Sequence, residues 1–61
     1  MTIQIKTRGR WRDLPASQWD LAVWAVANAL ALSAASARDR LRAGERIFVE
    51  DFGGACIRGR P

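Results

Sequence analysis

From Ile3 to Asp13 the chain alternates without a slip. Ile3, Ile5, Thr7, Gly9 and Trp11 hold the odd positions, and Gln4, Lys6, Arg8, Arg10 and Arg12 the even ones. Successive side chains of an extended strand point to opposite faces. The pattern therefore predicts one strand over residues 2–13, with its odd residues on a core and four cations, Lys6, Arg8, Arg10 and Arg12, along its outer face. A variant in which Thr7–Arg10 folds into a turn would add a hairpin, giving ββαββ. The unbroken parity across Gly9 favours a single strand, straight or kinked at the glycine.

Pro15 cannot continue a strand ladder, and Ser17-Gln-Trp-Asp20 has the form of a helix N-cap followed by an acid at the third position. No Gly or Pro interrupts Gln18 to Ala43, and Gly44 supplies the left-handed residue that commonly follows a helix end. These signals predict one long helix over 17–43. Trp19, Val23, Val26, Leu30, Ala34, Ala37 and Leu41 form an apolar stripe along it. A second stripe carries Leu21, Trp24, Ala25, Asn28, Leu32 and Ala35. One small sheet does not cover two apolar faces. Leu21, Trp24, Asn28 and Leu32 are thus expected to meet protein, either a second copy or a larger partner.

Beyond Gly44, Arg46–Glu50 is β-branched and aromatic, Asp51–Gly54 reads as a turn, and Ala55–Arg58 as a short return strand. A strand pair is expected over 45–58 and a frayed basic tail over 59–61. The expected fold is a single α+β domain over 1–61, a small β-α-β-β unit whose three-stranded sheet packs on one long helix.

Size and composition narrow the chemistry. A chain of 61 residues is near the lower limit for an unreinforced hydrophobic core. Cys56 is the only cysteine and histidine is absent, which excludes an internal disulfide and leaves no usual zinc ligand set. Oligomerisation or docking is the reinforcement left open, and no cofactor is implied. The absence of histidine also removes the usual general base, so an enzyme is not expected. Cys56, between Ala55 and Ile57, reads as structural. Glu50-Asp51 reads as a solvated strand end, and Gly53-Gly54 as a turn with no following helix to offer a phosphate site. The lone cysteine and the polar N-terminus, without an apolar leader, give a cytoplasmic expectation. Leu21–Ala37 is uncharged, but its rise of ~25 Å falls short of a ~30 Å hydrocarbon core, so no membrane span is expected.

Charge points to a class of partner. Ten Lys+Arg oppose six Asp+Glu for a net charge of +4, and all the cations but Lys6 are arginine, the residue suited to bidentate contact with phosphate or carboxylate. Alternate residues of a strand lie ~6.6–6.8 Å apart, so the four cations are spaced to track a nucleic-acid backbone. Arg58 and Arg60 extend that surface if the last strand lies beside the first. Trp11 is expected to pack inward, which leaves no aromatic platform for bases. Cations on an edge strand also discourage edge-to-edge aggregation, although four in succession exceed that need. A basic strand before a helix resembles ribbon-helix-helix repressors over the first third of the chain. That family needs a break between two helices, which Gln18–Ala43 does not signal, and the C-terminal strand pair is foreign to its plan.

The expectation is a small non-enzymatic binding or regulatory module. Its basic strand would contact nucleic acid or another polyanionic surface, and the second face of its helix would serve self-association or docking. The alternative is a structural accessory subunit or protein inhibitor whose arginines match an acidic protein surface. A weaker third is peripheral binding to anionic lipid headgroups.

Overall fold

The computed structural model describes all residues from Met1 to Pro61. Four strands and two α-helices follow in the order β1 (Thr2–Thr7), β2 (Arg10–Asp13), α1 (Trp19–Leu30), α2 (Ala34–Arg42), β3 (Ile47–Val49) and β4 (Ala55–Arg60), with a 3₁₀ turn over Ala16–Gln18 leading into α1. The sheet is antiparallel throughout, in the order β2-β1-β4-β3. The α+β class stands as expected, with a fourth strand and a divided helix.

The single strand expected over 2–13 is a hairpin. Arg8 (φ 53°) and Gly9 (φ 80°) form its two-residue loop, both with positive φ as in the type I′ turns that match strand twist. Length gives the physical reason. Twelve extended residues would span ~40 Å, whereas the longest dimension of the molecule is 28 Å. Folding back lets β1 pair on both sides, with β2 through Ile5↔Arg12 and Thr7↔Arg10 and with β4 through Ile3↔Gly59 and Ile5↔Ile57.

The helix expected over 17–43 is divided as well. Ser17 caps nothing and lies in the 3₁₀ turn; Gln18 stands at the α1 N-cap without a side-chain bond. Asp20 does sit in the first turn, where the helix dipole favours an acid. At the other end Ala31 adopts the left-handed conformation (φ 55°). The Leu32 N–H donates to Ala27 O (2.9 Å) and the Ala31 N–H to Asn28 O (3.3 Å), the paired bonds of a Schellman ending. An L-residue in that conformation costs about 1–2 kcal/mol. What holds it is the turn itself, for Ser33 then caps α2, its Oγ accepting from the Ser36 N–H at 3.1 Å. The two helical segments meet at about 100°, and neither alone is long and apolar enough to cross a membrane. The helical region ends as expected at Gly44 (φ 83°), whose N–H donates to Leu41 O.

Bending the helical segment puts both pieces on one side of the sheet, α1 against β3 and α2 against β4. Between the layers lie Ile3, Ile5, Val23, Val26, Leu41, Ile47, Val49 and Ile57, all buried. Ala22, Ala25 and Ala37 are also buried, and their small side chains let the helices approach closely. Of the expected main stripe, Val23, Val26, Ala37 and Leu41 are core and Trp19 packs against it, its Nε1 donating to Leu14 O at 2.9 Å. Leu30 and Ala34, which flank the bend, are exposed. Ala25, placed on the second stripe, is instead core.

The tail expected over 59–61 is also corrected. Gly59 and Arg60 belong to β4, opposite Ile3 and Thr2, and Gly59 is buried. The interior break does give the chain two helices, as ribbon-helix-helix proteins have. Its basic segment, however, pairs with itself in a hairpin, and the β3–β4 pair has no place in that plan.

Candidate nucleic-acid interface

A two-residue loop inverts parity across the hairpin. Thr7 pairs with Arg10 and Lys6 with Trp11, so odd residues of β1 share a face with even residues of β2. The ladder of four cations on one face is thereby overturned. Lys6 lies on the outer face of the sheet and Arg8 at the hairpin tip. Arg10 and Arg12 lie on the helix side, exposed because β2 is the edge strand beyond the helices. Trp11, expected in the core, is on the outer face.

No helix covers that outer face, and register arranges it in rows. One row crosses all four strands as Trp11, Lys6, Cys56 and Phe48. The next runs Asp13, Gln4 and Arg58. Gln4 holds this second row together: its Nε2 donates to Asp13 Oδ1 at 2.7 Å, and its Oε1 accepts from Arg58 Nε at 3.0 Å. Arg58 also lies over the Trp11 ring, its guanidinium carbon 3.9 Å from the centroid, and the Lys6 ammonium is 5.9 Å from the same ring. These are cation–π contacts. They account for a half-buried tryptophan on a face that the helices leave open. Arg60 pairs with Thr2 at the far end, so Arg58 and Arg60 do join Lys6 on one surface.

The cations divide by location. On α2, Arg38 bonds Asp20 at 3.0 Å, Arg40 bonds Glu45 at 3.1 Å and Arg42 lies 3.5 Å from Asp39. Lys6, Arg8, Arg10, Arg12, Arg46, Arg58 and Arg60 form no salt bridge. The pKa of Arg58 is held below the ordinary arginine value, first by partial desolvation and then by the charges of Arg60 and Arg46. Arginine remains a cation at neutral pH regardless, so the crowding leaves an unrelieved positive field on the sheet. Cys56, half-buried in the first row, is a free thiol. No three of the Cys, Asp and Glu side chains converge as a metal site.

The other expected contact is on α1. Leu21 is 54% exposed and Trp24 57%, one turn apart. Asn28 continues that face, its Nδ2 donating to the Trp24 carbonyl at 2.9 Å. Leu32, past the bend and half-buried, lines the same shallow depression as Trp24, Asn28 and Arg38.

Fold and surface together describe a small α+β domain with an uncovered antiparallel sheet, cationic and aromatic on its open side. No family model, curated protein or solved structure matches the chain.

Proposed function

We propose that this chain is a non-enzymatic binding or regulatory module that engages nucleic acid through the hairpin and the open side of its sheet. The observation that carries this reading is the segregation of charge. Every arginine of α2 has an acidic partner, while Lys6, Arg8, Arg10, Arg12, Arg58 and Arg60 have none. Unpaired cations at the hairpin and on the open sheet face attract a polyanion and release its counterions on binding.

A salt series on random duplex and single-stranded DNA tests the reading. Log affinity is expected to fall linearly with log salt, with a slope of about −0.9 per phosphate contact on duplex and about −0.7 on single strands. Absence of binding even at low salt would remove nucleic acid from the account. That outcome would favour the second reading, an inhibitor or accessory subunit that inserts its hairpin into an acidic protein cleft. Cations on both sides of the hairpin are what such a cleft would meet.

The exposed face of α1 gives the module its second contact, for self-association or for docking on a larger protein. Two large apolar side chains one turn apart favour a protein cover over water. In sedimentation experiments the chain is expected to associate with rising concentration and Trp24→Ala to shift it toward monomer. A wild-type chain that stays monomeric at high concentration would exclude self-association.

A further inference from the structure

We infer that the open sheet face is a stacking platform for single-stranded nucleic acid, which it holds across its strands from Trp11 to Phe48. The inference rests on the nucleic-acid reading above and specifies which form of nucleic acid, which residues and which direction. Trp11 and Phe48 end the same row on the two edge strands, with Lys6 and Cys56 between them. Three strand spacings separate them, about 14 Å. That span accommodates roughly two or three bases, the number stacked by aromatics on four-stranded sheets that bind RNA.

Each end offers a flat surface. Arg58 lies on the Trp11 ring at 3.9 Å, and both an indole and a guanidinium plane accept a stacked base. Phe48 is 59% exposed. Its ring lies beside Gly54, a residue held at positive φ (82°), where a Cβ would stand in ordinary contact at 3.6 Å from Phe48 Cζ. Trp11 gains cation–π contacts where it lies; Phe48 has none and stays largely exposed although it shares a depression with Asn28 and Ala29 of α1, which makes it the more telling of the two. Between the aromatics the chemistry suits a phosphate backbone. Lys6, Arg58 and Arg60 carry no acidic partner, and the carboxylate at the Trp11 end, Asp13, is engaged by Gln4; at the other end Glu50 and Asp51 line a depression with Phe48. A half-buried and an exposed aromatic with unpaired cations between them match the sequence-tolerant way in which single strands are held. A duplex keeps its bases stacked on each other and has no use for Phe48.

The experiment compares binding of the full chain to a short oligothymidylate and to an abasic oligomer of the same length, which has the phosphates without the bases. Wild type is expected to prefer the oligothymidylate. Phe48→Ala should weaken that complex by roughly five- to 150-fold, the range for removing one base–aromatic stack, and leave the abasic complex unchanged. Trp11→Leu should act in the same direction, with thermal melts confirming that both variants fold. If both variants bind oligothymidylate as wild type does, or wild type binds the two oligomers equally, the platform is wrong while the backbone-binding reading stands. If wild type binds neither oligomer nor duplex at low salt, the nucleic-acid reading fails and takes the platform with it.

Discussion

Gly59→Ala is expected to unfold the domain or to remove most of its stability in urea denaturation. A Cβ at this position would stand 2.3 Å from Leu41 O, 2.7 Å from Leu41 C and 2.8 Å from Met1 Sδ. The methionine is flexible and can withdraw. The Leu41 carbonyl cannot, because it accepts from the Gly44 N–H at the end of α2, and the Leu41 side chain is completely buried. Relief would require α2 to lift from β4, opening the layer that holds Ile57 and Ile3. Overpacking a core typically costs 1–3 kcal/mol, and more where backbone meets backbone. A domain of this size holds only about 3–9 kcal/mol in total. Gly9→Ala serves as the comparison: its Cβ meets nothing within 4 Å, so only the positive φ opposes it. Near-wild-type stability of Gly59→Ala would mean that α2 sits farther from β4 than described.

Reversing charge at the hairpin, Arg8→Glu with Arg10→Glu, is expected to weaken nucleic-acid binding by roughly tenfold to hundredfold at moderate salt. The slope of log affinity against log salt should flatten by about 1.8 on duplex, from two lost contacts. Both side chains are exposed and unpaired, so the fold should survive. Arg8 already occupies a left-handed position, and Glu there asks nothing new of the backbone. The control is Arg40→Glu with Arg42→Glu, which changes net charge equally but at residues paired to Glu45 and Asp39. Binding should be far less affected there, and exposed pairs of this kind contribute only about 0–1 kcal/mol to stability. Equal losses in the two double variants would mean that net charge alone drives binding and that the hairpin is not the contact.

Much of the fold was legible because the relevant residues have few alternatives. Pro15, Gly44 and the Asp51–Gly54 turn mark boundaries by backbone restriction, and all three lie where expected. Val23, Val26 and Leu41 keep helical spacing and are core. The hairpin was hidden by the alternation that revealed a strand at all. A two-residue loop continues an apolar–polar pattern along the chain while reversing which face each residue takes, so periodicity alone cannot detect it. Chain length could have done so, as could Arg8-Gly9, with glycine at the second loop position. The helix break carried a fainter signal. Ala31 is an ordinary helix former, and only Ser33, three residues before Ser36, announced a new N-terminus.

The candidate site was legible in its members and not in their arrangement. Lys6, Arg58 and Arg60 share a surface because β4 pairs with β1, as the sequence permitted but did not require. Arg10 and Arg12 part from Lys6 at the turn. Trp11 lies on the open face for the same reason, where the alternation alone would put it in the core. Phe48 carries no signal of its own in the sequence, because an aromatic inside a strand is ordinarily packing material. Only the register that sets it outward in line with Trp11 distinguishes it.

The placement of β1 and β4 side by side in the middle of the sheet governs how the chain reaches this state. Each outer hairpin closes a short loop and can form early. The central seam instead joins Thr2 to Arg60 and must bring the two ends of the domain together. Closing so long a loop is entropically slow, and proteins dominated by such pairings fold more slowly than helical ones of equal stability. Until the seam closes, β1 and Ile57 have no shared core to complete, so the hairpins remain marginal on their own. The domain is therefore expected to assemble as one cooperative unit, with substitutions at the β1–β4 seam slowing refolding more than substitutions in either outer hairpin.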